Sequence, residues 1–266
     1  MKTTQTIKPL ILKFFLLSIS LSLAVLFLLL SLPPKSPSSS SFSSTSLTTP
    51  LTQQQQQQQQ QHSDLRIRPG YSTYDLYIKK QLDKTLNPKL REIWTTRDWK
   101  RKVEVFGKFF DELRAKKLLS NDSKALCIGA RVGQEVAALK GIGVNDSVGI
   151  DLVPYPPLVI KGDFHQQPFN NESFDFEFSN VFDHALYPDK FIGEIERTLK
   201  PGGICVLHVA ISRRSDKYSA NDLFSIGPLK EMFQDSEIVH VRKVDGFGLD
   251  TEVVFRKKKK KKKQSS

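Results

Sequence analysis

From Lys124 onward the apolar positions fall into short runs separated by amphipathic stretches. Runs of this length, rich in β-branched and aromatic residues, predict strands at Ala125–Ile128, Ser147–Ile150, Leu158–Lys161, Phe174–Ser179 and Ile204–Val209. Between them, helical spacing predicts helices at Gln134–Lys140 and Asp189–Leu199. Such alternation implies an α/β domain built on a mostly parallel sheet. Ahead of it, Tyr74–Leu86 and Thr96–Leu119 carry helical periodicity, the second with Trp99, Val103, Phe106, Phe110 and Leu113 on one stripe. The sequence closes with two runs, Glu237–Val244 and Glu252–Arg256, joined by Asp245-Gly246-Phe247-Gly248, which predicts a terminal antiparallel hairpin.

The ends of the chain have a different composition. Residues 14–32 contain no charge and are dominated by Leu, Phe, Ile and Val. As a helix they span about 28 Å, close to the hydrocarbon core of a bilayer. Lys2, Lys8 and Lys13 precede the run, so the positive-inside bias leaves residues 1–13 in the cytosol and sends the remainder across. A cleaved signal peptide is the competing reading, but Ser31-Leu32-Pro33-Pro34 offers no small-x-small cleavage site. The expectation is therefore a single-pass protein with its domain in the secretory lumen. Residues 33–63, all Ser, Thr, Pro and Gln apart from a few positions, read as a disordered stalk. Residues 257–266 read as a solvated poly-lysine tail. This divides the rest into N-terminal helices (64–123) and the α/β domain (124–256).

Net charge is +12, but four lysines before residue 64 and seven from Lys257 to Lys263 supply eleven of those charges. The near-neutral domain argues against a nucleic-acid partner, which needs a basic face. Cys127 and Cys205 sit in apolar runs and read as small core residues, giving neither a disulfide framework nor a metal site.

In an open α/β sheet ligands bind beyond the carboxyl ends of the strands. After the first strand stands Gly129-Ala130-Arg131-Val132-Gly133, where glycines let the backbone approach a ligand and the next helix offers its N-terminus. The second strand ends at Asp151, 22 residues beyond Gly129, where a carboxylate can accept from both hydroxyls of a ribose or else cap a turn. That spacing by itself also suits NAD. The third strand runs into Gly162-Asp163-Phe164, an acid and an aromatic suited to an adenine ring. The fourth is followed by Asn180-Val181-Phe182-Asp183-His184. Asp183 or His184 is chemically suited to be a general base, or else Asp183 caps the turn and His184 packs locally.

With Pro168-Phe169, Ser173-Phe174-Asp175 and Leu199-Lys200-Pro201-Gly202-Gly203, these residues resemble the class I S-adenosylmethionine-dependent methyltransferases of the type 11 branch. The chain as a whole is similar to a plant group of membrane-anchored methyltransferase-like proteins. The resemblance implies a doubly wound, Rossmann-like sheet with S-adenosyl-L-methionine as cofactor. It places Gly129, Gly133 and Arg131 at the methionine end, Asp151 on the ribose and Asp163 and Phe164 on the adenine. Asn180 also falls at the cofactor, and Asp183 and His184 at the acceptor. The acceptor would be a small metabolite or saccharide, in the Golgi. Two positions depart from the family: Cys127 stands where it has an acid, and Arg131 where it has a second glycine. Arg131 either pairs with the cofactor carboxylate or obstructs the loop. A cofactor-degenerate, non-catalytic domain is the alternative these departures raise.

Three Asn-x-Ser sequons, at Asn121, Asn145 and Asn171, each precede a predicted strand. All three thus fall on the sheet edge opposite the strand ends, where glycans leave the ligand site open.

Overall fold

The computed structural model describes residues 64–212 and 216–259. All of the described residues belong to one compact unit, within residues 51–266. The apolar run at 14–32, the stalk and the tail beyond residue 259 lie outside the described residues. Among the described residues no helix is long and apolar enough to cross a membrane.

Among the described residues nine strands and six α-helices follow one another in chain order. They are β1 (Leu65–Ile67), α1 (Tyr74–Thr85), α2 (Pro88–Thr95), α3 (Trp99–Ala115), β2 (Ala125–Ile128), α4 (Gln134–Gly141), β3 (Ser147–Asp151) and β4 (Val159–Lys161). Then come β5 (Phe174–Ser179), a single 3-10 turn at Phe182–His184, α5 (Pro188–Thr198), β6 (Leu199–Val209), β7 (Asn221–Leu223), α6 (Gly227–Met232), β8 (Ser236–Gly246) and β9 (Leu249–Lys257). Seven strands form one sheet in the order β4-β3-β2-β5-β6-β9-β8. β2 through β6 run parallel, and β9 is antiparallel to both β6 and β8. The predicted α/β architecture and terminal hairpin are both present.

Strand alternation sorts the core into two layers. Cys127, Phe176, Phe178, Val206 and Val254 face α3 and α4, where Phe106, Phe110 and Leu113 complete the packing. The Phe110 ring meets that of Phe178 edge-on at 5.1 Å. On the opposite face Leu126, Cys205, Leu207, Val253 and Phe255 pack with Phe191, Ile192 and Ile195 of α5. The two cysteines are free, buried and on opposite faces, and burial pushes both thiols up. α3, one of the N-terminal helices, thus packs over one face of the sheet.

Several predicted boundaries move, each for a local reason. Two helices precede the sheet after α1: α2, which no expectation covered, and α3, a shortened form of the helix expected over Thr96–Leu119. Asn87 caps the first, accepting from Leu90 N at 3.1 Å with Pro88 in the first turn. The second ends at Ala115 because Lys117 turns left-handed (φ 58°) and Leu118 N returns to Leu113 O at 2.9 Å. β6 begins at Leu199 instead of Ile204, pairing Leu199 with Phe174 across a bulge. The lysine run does not start a free tail. Lys257 is a buried residue of β9, and its ammonium donates to the carbonyls of Glu196 and Leu199 at the end of α5.

Candidate active site

The carboxyl ends of β2, β3, β4 and β5 converge on a cavity of about 320 Å³. Its floor contains Gly129, Arg131, Asp151, Asp163, Phe164, Asn180, Asp183 and His184. Every residue assigned to the site from sequence lines this cavity except Gly133, which lies behind the loop as the N-cap of α4. α1, the Gly246–Leu249 turn of the hairpin, Ala210 and Asp216 supply further walls.

The loop after β2 is shaped by close contact. Gly129 has φ +72°, and a Cβ there would lie 2.3 Å from Val181 Cγ2. At Gly133 (φ +85°) a Cβ would lie 2.6 Å from Leu158 Cβ. Arg131 also takes a left-handed conformation, φ 49°. That explains why glycine suits this position, and an arginine here carries about 1–2 kcal/mol of backbone strain. Its N–H donates to Asp151 Oδ2 at 2.9 Å, tying the loop to the end of β3. The guanidinium lies 5.1 Å from the Trp94 ring, and its Nε is buried without a partner.

Asp151 is buried and accepts a second backbone bond from Val153 N at 3.3 Å. Burial raises its pKa, opposed by the two backbone bonds and the charges of Arg131 and Arg91. Each carboxylate oxygen accepts one of these bonds and keeps a lone pair for a diol. Asp163 is more fully engaged. Tyr74 Oη donates to its Oδ2, and His165 N donates to Oδ1 at 2.9 Å. His165 Nε2 accepts from Tyr187 N at 3.2 Å, which places the ring proton on Nδ1, 3.2 Å from Asp163 Oδ1. Burial alone would raise Asp163, but these bonds hold it below the usual carboxylate range. An adenine amino group reaching it must share a carboxylate already held by Tyr74.

The turn bearing Asp183 and His184 is pinned on several sides. Asn221 of β7 donates to Phe182 O and Ala185 O, each at 2.8 Å, and Tyr77 Oη donates to His184 O at 2.8 Å. Ser219 Oγ donates to Asp183 Oδ2. The His184 ring sits between Gln81 Oε1, 3.0 Å from Nδ1, and Lys84 Nζ, 3.2 Å from Nε2. An ammonium only donates and a carbonyl oxygen only accepts, so the imidazole is neutral with its proton on Nδ1. Burial, with Lys84 and Arg131 nearby, lowers its pKa against the pull of Asp183 and Asp216. Lys84 also pairs with Asp216 at 2.7 Å.

Sequence reasoning missed the wall residues. Tyr77, Gln81 and Lys84 lie at i, i+4 and i+7 of α1, a polar stripe on the face turned to the sheet. That spacing was the available signal. Asp216 and the hairpin turn reach the cavity only through tertiary folding. Glu135 and Lys102 are buried and belong to no sequence motif. Among the described residues no cluster of His, Cys, Asp and Glu could hold a metal ion.

Residues 126–207 match the sequence profile of the family described as "Methyltransferase domain". No curated protein sequence matches the chain. Among solved structures it is similar to a Burkholderia thailandensis 1,6-didemethyltoxoflavin N1-methyltransferase, solved with 1,6-didemethyltoxoflavin and S-adenosylhomocysteine bound. Identity is 16%, over 72% of this chain and 93% of that one, with a TM-score of 0.55. It is also similar to a structure of the Haloferax volcanii Trm112 methyltransferase activator complexed with a putative methyltransferase. There identity is 16%, over 64% of this chain and 97% of that one, with a TM-score of 0.50. The domain thus has the fold of the class I S-adenosylmethionine-dependent methyltransferases, and S-adenosylmethionine is the cofactor of that class.

Proposed function

We propose that the protein binds S-adenosylmethionine in this cavity and transfers its methyl group to a small-molecule or saccharide acceptor. The observation that carries this reading is the buried Asp151 carboxylate beside the glycine cradle. It faces a cavity in which the Arg131 Nε is also buried and unpaired. The donor set fits the cofactor. Asp151 can accept the ribose hydroxyls, Phe164 offers an apolar wall to the adenine, and Asp163 an acceptor for its amino group. Gly129 permits close backbone approach, and Arg131 offers charge for a carboxylate.

When bound, the cofactor supplies an electrophilic methyl group on a sulfonium. The protein's contribution is then largely positioning, which can supply up to about 7–11 kcal/mol of a barrier. His184, neutral at pH 7, can take an acceptor proton at Nε2 once Lys84 turns to Asp216 alone. The resulting imidazolium would stand near Asp183 and Asp216. Gln81, Tyr77 and Asn221 hold the ring and its turn in place, and α1 forms one wall of the site.

The same reading extends to location. Residues 14–32 have the length and composition of a membrane anchor, and the lysines before them favour a cytosolic N-terminus. The domain would then lie in the secretory lumen, as in a membrane-anchored plant methyltransferase-like protein of the Golgi.

The function is tested by calorimetric titration of the full chain with S-adenosylhomocysteine. Saturable one-to-one binding is expected, weakened about tenfold or more in Asp151→Ala, since a charge-assisted hydrogen bond contributes roughly 1.5–3 kcal/mol. Equal affinity in parent and variant would remove Asp151 from the site.

A further inference from the structure

Between α3 and the N-terminus of α4 lies a group of charges that no sequence motif announces. Lys102 of α3 is 9% exposed, and its ammonium makes no hydrogen bond or ion pair among the described residues. It lies 5.1 Å from the ring of Phe247, which lines the cavity. Arg131, the second cation, has its buried Nε unpaired. A buried acid acts on both of them. Glu135 is 1% exposed, with Oε1 accepting from Asn180 Nδ2 at 3.1 Å and Oε2 buried without a partner. Burial raises Glu135, while Arg131 and Lys102 pull it back. Burial and Arg131 push Lys102 down to about 8, against Glu135 and Asp98 and with Lys84 adding to the depression. The Lys102 ammonium and the Arg131 Nε are thus donors in buried positions without an acceptor, which is costly unless a ligand anion arrives.

We propose that Lys102 and Arg131 together receive the carboxylate of the cofactor's amino-acid end, with Glu135 orienting Asn180 to accept from its ammonium. This assignment rests on the methyltransferase reading above. Its geometry follows from donor rules. A carboxylate can only accept, so Glu135 holds the NH₂ of Asn180 and turns the Asn180 carbonyl away from itself. Asn180 lines the cavity, so that oxygen is available to a ligand ammonium. Glu135 is also close enough to Cys127 to raise the thiol. It therefore brings a carboxylate, from the first turn of α4, to the neighbourhood where Cys127 supplies none. Glu135 is a positioning residue, while Lys102 and Arg131 are binding residues.

The test uses two ligands that share adenine, ribose and thioether but differ in the amino-acid end: S-adenosylhomocysteine and 5′-methylthioadenosine. The full chain should bind the first at least about tenfold more tightly than the second. Lys102→Met should lose about tenfold or more in S-adenosylhomocysteine affinity and leave methylthioadenosine affinity unchanged, which also reports that the variant is folded. Glu135→Gln, whose amide can turn Asn180 over, should show the same split, and Lys102→Arg should retain most of the preference. Arg131→Gly, which relieves backbone strain and so stays folded, provides an independent arm and should likewise lose only the preference for the amino-acid end. Unchanged S-adenosylhomocysteine affinity in Lys102→Met, or equal loss for both ligands, would overturn the assignment while leaving the methyltransferase reading intact. Failure of the parent to bind either ligand would instead overturn that reading and this one with it.

Discussion

Glu177 offers a test of the core that supports the site. It lies on β5, wholly buried, one strand position before the Phe178–Ser179 end that leads to Asn180. Thr198 Oγ1 lies 2.8 Å from its Oε1, its Oε2 has no partner, and the buried Nε2 of the nearby Gln167 has none either. Burial pushes its pKa up from 4.5 to about 8, with the Thr198 bond and the charges of Lys257 and Arg197 opposing. The sign follows directly. A carboxyl whose folded pKa is raised contributes stability that is complete below its unfolded pKa and is lost as pH rises through the folded one. Between pH 4.5 and pH 7 the loss amounts to roughly 3 kcal/mol, at about 1.4 kcal/mol per pH unit. Glu177→Gln keeps the shape and removes the ionisation. Denaturant melts of parent and variant at pH 5, 7 and 8.5 should show the parent losing stability as pH rises. The variant should gain on it by about 2–3 kcal/mol at neutral pH and by little at pH 5. A difference independent of pH, or one that shrinks toward pH 8.5, would refute the reasoning.

Other consequences concern the site and its frame. Gly129→Ala places a methyl against Val181 in a left-handed backbone, so it should cost about 2 kcal/mol in thermal melts and weaken S-adenosylhomocysteine binding in titration. Glu252 is wholly buried and binds His208 and His240 at 3.0 Å each, together with Arg242. Glu252→Ala should therefore cost about 3–5 kcal/mol by leaving those donors unpaired, and it should loosen the hairpin turn that walls the cavity. Arg131→Gly should raise thermal stability by about 1 kcal/mol while lowering ligand affinity, opposite signs that a purely obstructive arginine would not give. Asn121, Asn145 and Asn171 are all exposed in loops at the strand-start edge. Arg114 and Arg197 hold the Oδ1 atoms of Asn121 and Asn171, so the amide nitrogen that carries a glycan faces away from each guanidinium. Full-length protein from a secretory host should shift in mobility on N-glycosidase treatment and lose that shift in the triple Asn→Gln variant. An unshifted band would contradict the lumenal location.

The sheet was legible because its strands are short apolar runs and its parallel pairing needs helices between them. Gly129, Asp151, Asp163 and Asn180 were legible for the same reason: each closes such a run, and strand ends share one edge. What stayed hidden depends on contacts across the chain. β1 and β7 are three residues each, held together by Arg66 and Arg68 on Asp222 more than by any apolar pattern. α2, eight residues from Pro88 to Thr95, falls between the two stretches whose periodicity marked helices, and its Asn87 cap is a single polar residue. Lys102 and Glu135 look in sequence like solvated helix charges, and only packing of α3 against α4 buries them. The engagement of Asp163 by Tyr74 spans 89 residues and has no local signature.

The central claim is that the cavity at the strand ends holds S-adenosylmethionine with its ribose on Asp151 and its amino-acid end toward Arg131 and Lys102. A crystal structure of the protein with S-adenosylhomocysteine tests it most directly. The account predicts both ribose hydroxyls within hydrogen-bond distance of the Asp151 carboxylate and the ligand carboxylate within reach of the two cations. A cavity without ligand at saturating S-adenosylhomocysteine, or a ligand whose ribose lies away from Asp151, would contradict it.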